Sequence, residues 1–264
     1  IKYIDIHSHQ YVEYLAVSKF LVNNSTFPTY LNLRPEQRYI NTWHGVPIKK
    51  MFKEEGGRKT VHGNSAKNFL CATDVLLPNP YTAEKLFSSS DVMGLIQANV
   101  YDNCCPRAEL TNQADPLKQK EALGIDASAK VVLYAPTWRG ELHRSSDESE
   151  IMHHTVTLIA GALPDHELVL SLHNMSLKNL KGISGYHLMD DRVEINEFLS
   201  CVDILISDYS STIFDYFPLN RTTVLYAYDR ESYQRTRGLY FGLNSVPAEV
   251  AETKAELIEK LKIY

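Results

Sequence analysis

Strand-like and helix-like stretches alternate along nearly all of this 264-residue chain, and no other feature limits its fold as strongly. Runs such as Lys130 to Ala135, Glu167 to Leu172, Asp203 to Ser207 and Thr222 to Tyr228 are short and apolar. Each gives way to a turn and then to a helical segment, the pattern of parallel strands joined by crossover helices. The expected fold class is therefore α/β. Helices are expected at Glu150 to Leu163, Asn196 to Cys201, Ser211 to Phe217 and Glu252 to Lys262, and the polar stretch Glu141 to Glu150 reads as a loop. In the first half, strands are expected at Tyr3 to Ile6, Arg38 to Trp43 and Thr73 to Leu77, with one helix from Val12 to Val22.

Asn79 before Pro80 is a cap followed by proline at the first helical position, so a helix should run from there to about Phe87. Asp115 and Pro116 repeat the signal, and Gly124 closes that second helix. A boundary just before Asp115 divides the chain into domains at 1–112 and 113–264. The first offers only about four strands, fewer than a full nucleotide-binding domain, so it is expected to be incomplete. The chain opens on Ile1 rather than Met, which fits a piece of something longer.

Composition narrows the partners. A net charge of -5 and a pI near 6.1 argue against a duplex nucleic acid, which calls for a dominant basic face. Positive charge is local instead: Lys49, Lys50, Lys53, Arg58 and Lys59 cluster, a set suited to phosphates, an anionic membrane surface or plain solvation. Cys71, Cys104, Cys105 and Cys201 show no metal or disulfide spacing and read as reduced thiols of a cytoplasmic protein. No apolar run is long enough to span a bilayer, so any membrane contact is expected to be peripheral.

Four stretches carry candidate chemistry, each just after a strand's carboxyl end, where open α/β sheets bind ligands. In Asn41-Thr42-Trp43-His44-Gly45-Val46-Pro47 a strand runs into a histidine at a Gly/Pro turn, fit for proton transfer or for satisfying turn carbonyls. In Tyr134-Ala135-Pro136-Thr137-Trp138-Arg139 a guanidinium stands at the tip, able to fork onto two phosphate oxygens or to form a salt bridge. A second histidine, His173, ends the strand before Asn174, and a structural role fits it equally. In Ser207-Asp208-Tyr209-Ser210-Ser211-Thr212 three hydroxyls precede a helix, an anion site or a simple cap. Asp215 falls one turn beyond Ser211, placed to accept from a hydroxyl.

These stretches, in this order and spacing, resemble the CDP-glycerol glycerophosphotransferases of teichoic acid and capsule synthesis. The resemblance extends from about Tyr11 to Tyr240 and takes in Val22-Asn23-Asn24, Asn79-Pro80-Tyr81, and Tyr226, Tyr228, Asp229, Tyr233, Arg237 and Gly238. It implies two Rossmann-like domains of glycosyltransferase-B type, the second holding most of the donor. It implies a CDP-glycerol or CDP-ribitol donor, CMP as leaving group and a lipid-linked polymer acceptor at the inner face of the cell membrane. No metal or cofactor is expected, because arginine, histidine and helix amides can supply the positive charge such a transfer requires. By position, His44 matches the family's general base and His173 its second histidine, at the donor pyrophosphate. Arg139, Ser210, Ser211 and Asp215 match donor-binding positions, and Pro47, Thr137, Asp208 and Thr212 group with them as substrate-binding residues. Asn103-Cys104-Cys105-Pro106-Arg107-Ala108 departs from the family's usual Gly-Tyr-Pro-Arg-Asn-Asp, and the family's opening strand and helix are missing.

Two other classes compete. Asp5-Ile6-His7-Ser8-His9 resembles the opening of metal-dependent hydrolases and phosphoesterases, in which paired histidines at a strand end bind a divalent ion. A non-catalytic nucleotide-binding module is the other.

Overall fold

A computed structural model describes residues 1–55, 62–139, 145–172, 184–189 and 192–264, without the side chains of 145–149. Two compact units result, Ile1–Pro106 and Arg107–Tyr264, so the division falls several residues ahead of the expected 112/113 boundary.

The first unit runs α1 (His9–Val17), β1 (Phe20–Asn23), β2 (Arg38–Asn41), α2 (Gly63–Cys71), β3 (Asp74–Leu76), α3 (Pro80–Ser89) and β4 (Asn99–Tyr101). Its four strands are parallel and lie in sequence order, β1-β2-β3-β4. A sheet that always steps the same way sends its right-handed crossovers to one face. That face carries the core: Leu21, Tyr39, Val75 and Leu77 pack with Phe69 of α2 and Leu86 and Phe87 of α3. The opposite face leaves Phe20, Val22 and Tyr101 exposed, around the Arg38 to Asp74 ion pair at 2.6 Å.

Two expectations change here. Tyr3 to Ile6 forms no strand and is largely exposed; the chain turns, and Ser8 caps α1 by accepting the Tyr11 N–H. The single helix over Val12 to Val22 is instead a helix and a strand: Ser18 leaves the helix at ψ 132°, and Phe20 to Asn23 pair with Arg38 to Asn41. Ladder hydrogen bonds and burial of Leu21 outweigh a local helical period. The short edge strand β4, exposed at all three residues, gave no alternation to read.

The second unit runs α4 (Pro106–Gln113, of which Pro106 falls before the division), α5 (Pro116–Ala122), β5 (Lys130–Tyr134), α6 (Ser145–Ala162), β6 (His166–Leu170), β7 (His187–Leu188), α7 (Ile195–Phe198), β8 (Ile204–Ser207), α8 (Thr212–Tyr216), β9 (Thr222–Tyr226), α9 (Arg230–Thr236), β10 (Glu249–Ala251) and α10 (Lys254–Leu261). Caps agree with composition: Asp115 accepts from Leu117 N–H, and Thr253 and Glu256 form a capping box. The six parallel strands lie in the order β10-β9-β8-β5-β6-β7. The chain thus winds outward from β5 through β6 and β7, then returns to β8 and winds the other way. The winding therefore reverses between β5 and β8, and the carboxyl ends of strands at such a reversal are where sheets of this kind bind ligands. The core is Val132, Tyr134, Leu168, Leu170, Ile204, Ile206 and Val224, covered by α6 and α10.

Candidate functional site

Beyond β2 the chain turns at once. Trp43 takes a left-handed φ of 50° and Gly45 a φ of 124°. A tryptophan in that conformation is costly and must be held. Its ring is buried in the first core, and its backbone N–H donates to Asn41 Oδ1 at 2.9 Å. The exposed His44 ring stacks on the Trp43 indole, with centroids 4.1 Å apart and planes 28° from parallel. His44 Nδ1 lies 2.6 Å from the Asn24 carbonyl oxygen. A carbonyl only accepts, so Nδ1 carries the hydrogen and the lone pair of the neutral ring sits on Nε2. Pro47 is buried, and its carbonyl accepts from the Tyr81 hydroxyl at 3.1 Å.

In the second unit, three loops meet on one guanidinium. Arg139, after β5, is 4% exposed. Its Nη1 lies 2.7 Å from Asp208 Oδ2 of the loop after β8, and also donates to the Thr137 carbonyl at 2.6 Å. Nε and Nη2 donate to Asp229, after β9, at 2.8 and 3.2 Å. Tyr209, Tyr228 and Tyr233 surround the guanidinium, each ring centroid 5.2 to 5.5 Å from its central carbon. Burial alone would lower the Arg139 pKa, but the charges of Asp208 and Asp229 outweigh it and the net shift is upward. The bidentate edge expected to fork onto phosphate is closed on Asp229. In this structure Arg139 is a buried tie between loops, held by the carboxylates of Asp208 and Asp229.

Thr137 N–H donates to Asp208 Oδ1 at 2.9 Å, and the Thr137 hydroxyl has no hydrogen-bond partner among the described residues. Ser210 Oγ accepts from Thr212 N–H at 3.3 Å and donates to Thr212 Oγ1 at 3.0 Å. Ser211 occupies the cap position of α8 without a side-chain cap bond. Asp215 is 2% exposed, and its Oδ2 lies 2.6 Å from Arg107 Nη2, a close charge contact whose angle is not that of a hydrogen bond. Burial pushes its pKa up to about 6; Arg107 opposes the shift and Glu194 adds to it.

His44 and Pro47 thus belong to the first unit, while Thr137, Arg139, Asp208, Ser210, Ser211, Thr212 and Asp215 belong to the second. His173 lies outside the described residues. Asp5, His7 and His9 sit in a turn and at the start of α1 rather than at a strand end, with Asp5 Oδ1 accepting from the His7 N–H at 2.8 Å.

Residues 1–264 match the family model of the CDP-glycerol:poly(glycerophosphate) glycerophosphotransferases. The chain belongs to this family. It is 27% identical to a teichoic acid poly(glycerol phosphate) polymerase of Bacillus spizizenii, over 99% of this chain and 70% of the relative. It is 29% identical to the teichoic acid ribitol-phosphate polymerase TarK of Staphylococcus aureus, over 88% of this chain and 47% of that protein. A structure of a variant of the wall teichoic acid polymerase TagF aligns at TM-score 0.79 and 26% identity, covering 99% of this chain and 67% of that one. The glycerophosphotransferase chain thus shares the two-sheet α/β, glycosyltransferase-B-like architecture of that polymerase.

Sequence reasoning passed over Arg107, the partner of Asp215, and Asn68, whose amide is buried in the first core. Arg107 lay in a stretch departing from the family pattern, and Asn68 is one of four polar residues in α2, with Asn64, Ser65 and Lys67; neither pattern announces its partner.

Proposed function

We propose that this glycerophosphotransferase transfers glycerol phosphate, or the related ribitol phosphate, from a CDP-linked donor to a hydroxyl of a lipid-linked teichoic acid or capsule acceptor, releasing CMP. The observation that carries the reading is the meeting of the loops after β5, β8 and β9 at the reversal point of the second sheet, in a chain matched end to end by this family. Relatives of both donor types, a poly(glycerol phosphate) polymerase and a ribitol-phosphate polymerase, support either alditol. A TagF variant solved after soaking with CDPG aligns at TM-score 0.78 and 26% identity.

The reaction brings a neutral hydroxyl to an anionic phosphorus, so positioning and charge neutralisation dominate its barrier. His44 Nε2 takes the acceptor proton as the acceptor oxygen attacks the phosphorus that carries the alditol. The bond from that phosphorus to the bridging oxygen breaks, and CMP departs with it. Ser210, Ser211 and Thr212 contribute hydroxyls toward the pyrophosphate, with His173 beside it. Arg139 and Asp208 hold the loops that present Thr137 and the serines.

We read the second unit as a Rossmann-like domain, since its strand order counted from β5 is that of a doubly wound sheet. The first unit is wound one way only, with Phe20, Val22 and Tyr101 exposed on its other face among the described residues. A lipid-linked acceptor puts the protein at the inner face of the membrane as a peripheral enzyme, and Lys49, Lys50 and Lys53 suit an anionic surface. No helix among the described residues is long and apolar enough to cross a membrane.

The test is incubation with CDP-glycerol, CDP-ribitol and a lipid-linked acceptor, following CMP release and product mass. Acceptor-dependent CMP with a product heavier by one or more alditol phosphates is expected. Absence of CMP release with every donor would overturn the reading.

A further inference from the structure

The turn bearing His44 is held by a chain of buried amides and one phenol. Asn41 is fully buried at the end of β2, on the core face of the sheet. Its Oδ1 accepts from the Trp43 N–H at 2.9 Å, which fixes the left-handed residue under the imidazole. Its amide nitrogen donates to the Ser25 carbonyl at 3.0 Å and to the Tyr39 hydroxyl at 2.9 Å. Tyr39, also fully buried, donates in turn to Asn68 Oδ1 at 2.9 Å. Asn68, in α2, closes the chain on Phe27, accepting its N–H at 2.8 Å and donating to its carbonyl at 3.1 Å. Burial pushes the Tyr39 hydroxyl up to about 12, so it keeps the proton it donates.

Backbone pairing and this network hold the two sides of one carbonyl. Asn24, whose oxygen lies 2.6 Å from His44 Nδ1, has on one side Asn23, whose carbonyl accepts from the Thr42 N–H at 2.9 Å. On the other side are Ser25 and Phe27, held by Asn41 and Asn68. A hydrogen bond to one imidazole nitrogen decides which tautomer the ring adopts. We propose that Asn41, Tyr39 and Asn68 are positioning residues that fix the Asn24 carbonyl and the Trp43 turn, and so set the tautomer and aim of the His44 ring.

The inference rests on His44 as the base, and its test reads the ring apart from activity. Protein labelled with 15N at histidine gives long-range imidazole spectra, with His44 assigned by its loss in His44→Gln. Wild type should show hydrogen on Nδ1 and the lone pair on Nε2. Tyr39→Phe, which keeps the ring volume, and Asn41→Ala should both show mixed tautomers. Turnover should fall about 10- to 100-fold with an unchanged KM for CDP-glycerol, as expected when a catalytic group is displaced. Circular dichroism checks that each variant is folded, and Tyr39→Phe carries the test if Asn41→Ala does not fold. A wild-type ring protonated on Nε2, or a folded Tyr39→Phe with the wild-type tautomer, would overturn the relay. A mixed tautomer with unchanged turnover would uphold the relay and remove His44 as the base.

Discussion

Arg139 Nη1 and Asp208 Oδ2 stand 2.7 Å apart, joining the loops that leave β5 and β8 on the two sides of the point where the second sheet reverses its winding. Both side chains are almost wholly shielded from water, so the attraction works against a large desolvation cost. Asp229, from β9, makes that cost bearable by taking the other edge of the guanidinium.

Replacing Arg139 with Met strands two buried carboxylates and should cost about 3–5 kcal/mol of stability. Arg139→Lys keeps the charge but loses the planar fork, and should cost less, about 1.5–3 kcal/mol. Urea unfolding measures both. Wild-type stability in Arg139→Lys together with weakened CDP-glycerol binding would return the guanidinium to the donor phosphates.

His44→Ala should lower turnover by roughly 10²- to 10⁴-fold, the usual contribution of a general base, with little change in donor affinity. Steady-state CMP release and calorimetric titration with CDP-glycerol separate the two. Intact turnover with weakened binding would make His44 a donor contact.

The two serines before α8 should separate. Ser210 bonds to Thr212, whereas Ser211 makes no side-chain cap bond. Ser210→Ala is expected to lose about 0.5–1 kcal/mol of stability as well as donor affinity. Ser211→Ala should weaken CDP-glycerol binding and leave the unfolding midpoint where it was. Equal destabilisation of both would reduce the pair to ordinary capping.

Asp215 predicts a pH dependence. Burial raises its folded pKa to about 6, above the ordinary carboxylate value. Between pH 4 and 6 the folded state therefore binds more protons than the unfolded state, and stability falls as pH rises through that window. Asp215→Asn removes this slope. The stability of wild type minus that of Asp215→Asn, from urea melts, should decrease by on the order of 2–3 kcal/mol from pH 4 to pH 6.5. A flat difference would mean that Arg107 fully offsets the burial.

Much of this protein is written in local order. The α/β class, the helices opened by Asn79 and Asp115, and the strands ending near Asn41, Tyr134, Leu170 and Ser207 follow from short-range preferences that tertiary contacts did not override. The stretches bearing His44, Arg139 and Ser210 also lie just after strands β2, β5 and β8, as the short apolar runs before them indicated. The tertiary structure decided partners. Phe20 to Asn23 became a strand only because Arg38 to Asn41 lay alongside, and Arg139 became a tie between loops only because Asp208 and Asp229 arrive from 69 and 90 residues away. Hydrogen bonds and ion pairs at that separation depend on which loops the fold brings together, and no local period in the sequence records it.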